Sequence, residues 1–281
     1  MQNIDRNYSK IPFPEKPAET LSPNNPPWGA LTAMGAWFAS VLLILIVPAV
    51  FLLPYLALNN PAADADQIVE FAKSDPTSIF LQILAVLPAH LLTLALAWLI
   101  VTQAGKLPFR QILGWEKGGF KWWHYCIILV GFFVVAAIVT EIFPEQENDL
   151  IRILKSSRSA VFVVAFVATV TAPIVEEVIY RGILYSAFQR TLGVAAAFIF
   201  ITLLFSVVHV PQYWPSYSTI FLLTLLSLML TAIRVKTGNL LPCIILHTLF
   251  NGLQSVFLIL EPYLKITEVP NPIGAICRIL Q

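Results

Sequence analysis

Seven predominantly apolar runs, most of them about the length of a bilayer-crossing helix, constrain the fold of this chain more than any other feature. A transmembrane helix needs about 20 apolar residues, because the hydrocarbon core of a bilayer is about 30 Å thick. We therefore predict an all-α, polytopic transmembrane bundle of about seven segments. The fifth run is short and the fourth is overlong, so six or eight segments remain alternatives. The runs lie at about 28–57, 79–102, 123–143, 160–191, 194–210, 217–235 and 239–260.

The composition of the chain supports this class. Hydrophobic residues make up 58% of the sequence and charged residues 12%, and the mean hydropathy is +0.78. These values lie outside the range of soluble globular domains. We therefore predict an integral, multi-pass membrane protein surrounded by the lipid bilayer, in the cell membrane if the host is bacterial. The net charge of +1 argues against a nucleic-acid partner.

The chain divides into four parts. Residues 1–27 are polar and carry six prolines, a composition typical of a disordered tail. Residues 28–158 hold the N-terminal transmembrane helices and an interfacial loop, 159–260 form a transmembrane core, and 261–281 form a C-terminal tail. Within the loop, apolar residues are set among basic ones over 106–121. This pattern is typical either of a short helix lying along the lipid headgroups or of an ordinary basic loop.

The distribution of lysine and arginine indicates the orientation. If the N-terminus lies inside, eleven of these residues fall on the inner side and six on the outer side. Positive charge is in excess on the cytoplasmic side of membrane proteins. We therefore predict a cytoplasmic N-terminus.

The fourth run contains ionisable residues that are costly inside a membrane. Glu176 and Glu177 are adjacent, and Arg181 follows four residues after Glu177, which is the favourable order for a helical ion pair. Each charge costs about 2.5–3.5 kcal/mol at the centre of a bilayer, so such groups are functional candidates. Adjacent helical residues diverge by about 100°, so we do not expect both glutamates to face one site. We assign Glu177 and Arg181 to structure, and Glu176 to proton transfer.

Two histidines and an asparagine are placed to meet Glu176. Glu176 lies 16 residues before an expected turn at 192–193, and His209 lies 16 residues after it. An antiparallel hairpin brings both side chains to a similar depth, roughly 24 Å from the turn. His247 and Asn251 are one helical turn apart and share one face of the last run. We expect all four side chains to line one cavity within the membrane.

The chemistry of these groups suits hydrolysis of a peptide bond. Pro173 lacks the backbone donor of a helical residue, so we expect a kink that leaves room for water beside Glu176. Glu176 and His209 would deprotonate that water. His247 and Asn251 would donate hydrogen bonds to the oxyanion of the tetrahedral intermediate.

Three motifs in these runs resemble those of a known family. They are Glu176-Glu177-x-x-x-Arg181, Phe205-x-x-x-His209 and His247-x-x-x-Asn251. In this order, and within apolar runs, they resemble the motifs of the CAAX protease and bacteriocin-processing (CPBP, or Abi) family. That family comprises intramembrane glutamic endopeptidases related to the Ras-converting CAAX prenyl proteases. The resemblance covers about 160–255.

The resemblance implies a function for each motif residue. It implies that Glu176 and His209 activate the hydrolytic water, and that His247 and Asn251 form the oxyanion site. Supporting roles fall to Glu177, Arg181 and Phe205, and to Tyr180, a position where the family often has phenylalanine. The Tyr180 hydroxyl adds a group able to bond into the site. No cofactor is implied, and the partner is a peptide or protein substrate, hydrophobic or lipidated.

Three other interpretations stay open. A zinc ion held by Glu176, His209 and His247 would activate water as a fourth ligand, although the usual helical zinc-protease motif is absent. A non-catalytic peptide-binding or bacteriocin-immunity protein would keep the same cavity. A proton-coupled carrier also places glutamate, histidine and arginine in helices broken by proline, although we find no internal repeat.

Overall fold

The protein is described by a computed structural model that covers residues 21–59, 64–260 and 263. This part of the chain is built from helices and short connections, and it contains no strand. Two segments of π-helix interrupt the α-helical path, a first π segment (Val167–Thr171) and a second π segment (Val178–Leu184). The α-helices are α1 (Ala30–Asn59), α2 (Ala65–Ser74), α3 (Pro76–Leu84), α4 (Val86–Thr102), α5 (Phe109–Leu113), α6 (Trp122–Ile142), α7 (Asp149–Ser156), α8 (Arg158–Phe166), α9 (Ala172–Glu177), α10 (Tyr185–Leu192), α11 (Val194–Tyr213), α12 (Tyr217–Thr237) and α13 (Leu241–Leu260).

Seven helical segments of the described chain are long and apolar enough to cross a membrane. The predicted all-α bundle of about seven spans is therefore confirmed, and the chain is an integral, multi-pass membrane protein. The segments are Ala30–Asn59, Pro76–Thr102, Trp122–Ile142, Arg158–Leu192, Val194–Tyr213, Tyr217–Thr237 and Leu241–Leu260.

The fourth span is irregular on both sides of the two glutamates. In the first π segment the backbone N–H of Ala172 donates to Val167 O, five residues back, instead of to the usual fourth residue. The next residue, Pro173, has no N–H to donate, so a second normal helical bond is also missing here. The irregularity expected at Pro173 is thus a widened helical turn, and the short helix α9 that follows it carries Glu176 and Glu177.

The structure corrects the expected disordered tail for residues 21–27. The guanidinium of Arg234 donates to Pro23 O at 2.6 Å and to Asn24 Oδ1 at 2.8 Å. Just beyond this stretch, Trp28 is buried and its Nε1 donates to Ile183 O at 3.0 Å. Hydrogen bonds to a buried cation outweigh the polar, proline-rich composition from which disorder was predicted. Residues 1–20 and, apart from Tyr263, the predicted C-terminal tail lie outside the described residues.

Part of the loop that precedes α6 packs against the protein core. Its helix, α5, has five residues, and Ile112 and Leu113 are buried in the core. Gly114 has a φ of +72°, and a Cβ there would lie 2.9 Å from Pro23 Cγ and from Asn239 Oδ1. Gly114 O also accepts from Leu240 N at 2.8 Å. Neither alternative raised for 106–121 anticipates this packing, because the partners lie elsewhere in the sequence.

Two groups of buried apolar side chains hold the bundle together. One joins α1, α4, α5, α10, α11 and the second π segment. The other joins α6, α12 and α13. The second π segment and α11 belong to the first group and α13 belongs mainly to the second, so the candidate residues lie where the two groups meet.

Candidate active site

Glu176 faces two imidazole rings contributed by different helices. Its Oε1 lies 3.9 Å from Nε2 of His209 on α11, and its Oε2 lies 3.8 Å from Nε2 of His247 on α13. Both distances exceed a hydrogen bond, so the three groups converge without bonding to one another. The Glu176 and His209 side chains are 23% and 17% exposed, whereas His247 is 4% exposed. The carboxylate and the His209 ring are therefore accessible from outside the protein core.

The hydrogen bonds of the two histidines determine which ring nitrogen faces Glu176. Nδ1 of His209 lies 2.7 Å from Phe205 O, and Nδ1 of His247 lies 2.9 Å from Glu177 Oε1. A backbone carbonyl and a carboxylate can only accept, so Nδ1 carries the proton in both rings. The partner of Nδ1 fixes the tautomer of each ring. Nε2 of each ring is therefore the nitrogen that faces Glu176.

Glu177 and Arg181 form the predicted ion pair, fully buried. Arg181 NH1 donates to Glu177 Oε1 at 3.0 Å, and both side chains have 0% exposure. Its NH2 donates to Ser227 Oγ at 2.8 Å and to the Ser227 carbonyl at 3.1 Å, and Nε reaches Thr231 Oγ1 at 3.4 Å. A buried guanidinium is tolerated only when its donors are satisfied in this way.

The expectation that the two adjacent glutamates cannot share a site is wrong. Glu177 bonds Nδ1 of His247, while Glu176 lies 3.8 Å from Nε2 of the same ring. The side chains do diverge along the helix, but the imidazole of His247 lies between them and offers one nitrogen to each. Glu177 is therefore part of the site, as well as the partner of Arg181.

Asn251 lies one turn beyond His247 but bonds elsewhere. Its Nδ2 donates to Ala168 O at 2.8 Å. Ala168 O would receive the N–H of Ala172 in an α-helix, and that N–H goes to Val167 in the first π segment. Among the described residues, no hydrogen bond joins Asn251 to Glu176 or to the histidines, and its place in the oxyanion site stays a prediction.

Phe205 lies at the centre of the site. Its ring centroid is 4.7 Å from the ring of His209 and 6.2 Å from that of His247. The guanidinium carbon of Arg181 lies 4.6 Å from the same centroid, a geometry that favours a cation–π contact. Tyr180 packs edge-on against Phe205 at 5.0 Å.

The Tyr180 hydroxyl turns towards α1 instead of into the site. Trp37 Nε1 donates to it at 3.0 Å. The extra hydroxyl at this position thus links the second π segment to the first span.

Sequence reasoning missed the polar groups that hold Arg181. Ser227 and Thr231 are four residues apart on α12 and both are buried. Small hydroxyl residues at that spacing in an apolar span are a known signal of helix contact, and they were available in the sequence. No sequence signal indicated that the Ala168 carbonyl would accept from Asn251, because this carbonyl is free to do so only in the π-helical hydrogen-bond pattern.

Within the described residues, no group of three or more His, Cys, Asp and Glu is arranged to hold a metal ion. The expectation that no cofactor is needed stays a prediction, as does its zinc alternative.

Comparison with known proteins assigns this region to a family. The family model described as type II CAAX prenyl endopeptidase Rce1-like matches residues 158–253. All the candidate residues lie in this range. No curated protein and no solved structure matches the chain. The resemblance indicated by the three motifs is thereby confirmed, and residues 158–253 of this membrane protein match the Rce1-like CAAX endopeptidase family.

Proposed function

We propose that this protein is an intramembrane glutamic endopeptidase in which Glu176 and His209 activate water. The observation that carries the proposal is the placement of one carboxylate between two Nε2 atoms, each in a ring whose Nδ1 proton is held by another partner. A carboxylate that faces two imidazoles, and that pairs with no lysine or arginine of the described chain, is suited to take and return a proton. The family match to an endopeptidase supports the reaction class.

These positions support the following reaction. A water molecule between Glu176 and His209 loses a proton to the carboxylate as its oxygen attacks the peptide carbonyl carbon. The carbonyl oxygen becomes the oxyanion, which accepts hydrogen bonds from His247 Nε2–H and from Asn251. Glu176 then returns the proton to the departing nitrogen as the C–N bond breaks. The carboxylate is thereby regenerated, and the water is divided between the two products.

Each proposed donor of the oxyanion site, His247 and Asn251, also donates one hydrogen bond to the protein. His247 donates through Nδ1 to Glu177, and its role at the oxyanion requires a proton on Nε2 as well. Asn251 uses one amide hydrogen for Ala168 O and keeps a second hydrogen for the oxyanion. Phe205 closes the space behind the rings and excludes water from the ion pair.

The location of the site indicates the class of substrate. Glu176, His209 and His247 all lie within predicted spans, so the scissile bond has to enter the membrane region. A peptide or protein end that is hydrophobic or carries a lipid enters this region at lower cost than a polar one. We therefore propose a hydrophobic or lipidated peptide end as the substrate.

The test is cleavage of quenched fluorescent peptides, with and without a prenyl group, by the purified protein in detergent with a chelator present throughout. We expect the parent to cleave, and Glu176→Gln to lower kcat by at least about a hundredfold, because general-base catalysis contributes about 10²–10⁴-fold. Glu147→Gln is the matched control, since this exposed carboxylate pairs with Lys155 outside the site.

Three outcomes would contradict the proposal. Full activity in Glu176→Gln would exclude its role as the base. Activity lost to the chelator and restored by zinc would favour the metal alternative. Binding of peptide without hydrolysis by folded parent protein would favour the non-catalytic peptide-binding function.

A further inference from the structure

A second buried guanidinium, that of Arg234, lies near the site and has no carboxylate partner among the described residues. Arg234 is in the last turn of α12 and is 1% exposed. All three of its nitrogens donate to neutral acceptors. Nε reaches Arg181 O at 3.2 Å, NH1 reaches Asn24 Oδ1 at 2.8 Å, and NH2 reaches Pro23 O at 2.6 Å. A buried cation held only by neutral oxygens is costly, so its position calls for an explanation.

The backbone carbonyl of Arg181 is able to accept from Arg234 because of the second π segment. In an α-helix the N–H of Tyr185 would bond Arg181 O, four residues back. Here that N–H bonds Tyr180 O, five residues back. Arg181 O thus loses its usual donor, and Arg234 supplies one. The guanidinium carbon of Arg234 also lies 5.4 Å from the centroid of the buried Tyr185 ring, so the same side chain contacts both ends of the shifted turn.

The backbone held in this way carries the side chain that orders the site. The guanidinium of Arg181 donates a hydrogen bond to Glu177, and Glu177 in turn accepts a hydrogen bond from Nδ1 of His247. We propose that Arg234 is a positioning residue that anchors the second π segment to the N-terminal segment 21–28, and so keeps His247 aligned with Glu176. The catalytic part of this proposal rests on the proposed function, whereas the anchoring part does not.

The N-terminal segment supplies the other end of the anchor. Asn24 Oδ1 accepts from Arg234 and also from Gln189 Nε2, at 3.1 Å. Trp28 Nε1 donates to Ile183 O, a second carbonyl of the π segment. The segment therefore contacts the π segment directly through Trp28 and indirectly through Arg234.

The chain offers a matched control in Arg190. This exposed arginine also donates three hydrogen bonds to the segment, to Asn25 Oδ1 at 3.2 Å, Pro26 O at 2.8 Å and Trp28 O at 3.3 Å. All its acceptors lie in the N-terminal segment, and none lies in the π segment. Arg190→Gln thus loosens the segment without removing the donor to Arg181 O.

The experiment measures hydrogen–deuterium exchange of the backbone amides of 178–187, together with kcat and KM, in full-length variants in detergent. For Arg234→Gln we expect faster exchange in this stretch, a fall in kcat of about tenfold or more and a KM within about twofold, because misplacing catalytic groups lowers kcat rather than binding. Arg190→Gln should leave exchange at 178–187 and kcat within about twofold of the parent.

Asn24→Ala is a second variant that tests the same anchor, and it can be used if Arg234→Gln does not fold. Asn24 is at the surface, and its loss removes one of the three acceptors of Arg234. We expect faster exchange at 178–187 and a fall in kcat of about threefold. Unchanged exchange in Asn24→Ala and in folded Arg234→Gln would overturn the proposal, as would equal effects of Arg234→Gln and Arg190→Gln. Faster exchange with no cleavage by the parent would contradict only the proposed function.

Discussion

At the scale of single residues, Glu176 and Glu177 differ in their burial and in the partners of their carboxylates. Glu177 is fully buried and pairs with Arg181, whereas Glu176 is partly exposed and has two imidazole nitrogens nearby, each beyond hydrogen-bond distance. Removing the charge of Glu177 leaves a buried guanidinium without a counter-ion, and that is costly. Removing the charge of Glu176 breaks no hydrogen bond and no pair with lysine or arginine among the described residues.

This difference predicts opposite effects on stability. We expect Glu177→Gln to destabilise the protein by about 3–5 kcal/mol, the cost of breaking a buried ion pair. Glu176→Gln should change stability by less than about 1 kcal/mol. Thermal unfolding in detergent, followed by circular dichroism, checks both values. In the double variant Glu177→Gln/Arg181→Met, most of the lost stability should return, and a double variant as unstable as Glu177→Gln alone would contradict the explanation.

Glu145 gives a prediction for pH. It lies in the connection between α6 and α7, outside the spans, and accepts from Thr219 Oγ1 at 3.0 Å. Burial raises the pKa of Glu145 from 4.5 to about 7, against the opposing effect of hydrogen bonds from Thr219 and Asn148. A raised carboxyl pKa means that the folded state holds the proton more tightly than the unfolded state. This contribution to stability is complete below pH 4.5 and is lost as the pH rises to about 7.

We therefore expect Glu145→Gln to become more stable relative to the parent between pH 4.5 and about 7. The gain should be on the order of 2–3 kcal/mol at the upper end, since one pKa unit corresponds to about 1.4 kcal/mol. Glutamine keeps an oxygen to accept from Thr219 but cannot ionise. Unfolding midpoints of both proteins across this pH range test the expectation, and parallel curves would refute it.

At the scale of elements, the two π segments decide where the glutamates point. They flank α9, and in each one a backbone carbonyl that loses its usual N–H accepts from a side chain of another helix. Ala168 O accepts from Asn251, and Arg181 O accepts from Arg234. The missing donor of Pro173 adjoins the first of these segments. π-turns of this kind are rare and often occur at functional sites.

Replacing the proline should separate stability from activity. Pro173→Ala restores a backbone donor and favours an ordinary α-helix by about 3 kcal/mol in intrinsic propensity. We expect the unfolding midpoint to stay equal or rise, while kcat falls by about tenfold because the turn that aims Glu176 is re-formed. Activity and thermal unfolding measured on one preparation check this. Loss of both together would mean that Pro173 is needed for folding instead.

At the scale of the whole molecule, the structure joins residues near the N-terminal side of α1 to the end of α12 on one side of the bundle. Asn24 and Arg234 are 210 positions apart and share a hydrogen bond. The loop before α6 packs against the end of α12. The two come so close that a Cβ on Gly118 would lie 2.7 Å from Thr237 Cβ. The connection after α6 lies at the other end of that span. Since α6 is long and apolar enough to cross a membrane, we expect the loop before it and the connection after it on opposite sides of the membrane.

The charge distribution predicts which side is cytoplasmic. In a background without the three native cysteines, Lys117→Cys should react with a membrane-impermeant maleimide only from the cytoplasmic face. Glu147→Cys should react only from the opposite face, because α6 separates the two positions. Sealed vesicles of known orientation, with detergent-opened vesicles as the control, give the answer. The reverse labelling would invert the predicted orientation, and labelling of both positions from one side would contradict the span at α6.

About seven spans, the three motifs and the Glu177–Arg181 pair could be predicted from the sequence alone. These features depend on short-range rules, since bilayer thickness sets the length of each run and a four-residue spacing sets the ion pair. Three contacts became visible only in the folded protein: His247 lies between both glutamates, Asn251 donates to Ala168 O, and Arg234 donates to Pro23 and Asn24. These contacts join residues more than 60 positions apart. They depend on the rotation and register of whole helices, which side-chain packing sets and local patterns do not encode.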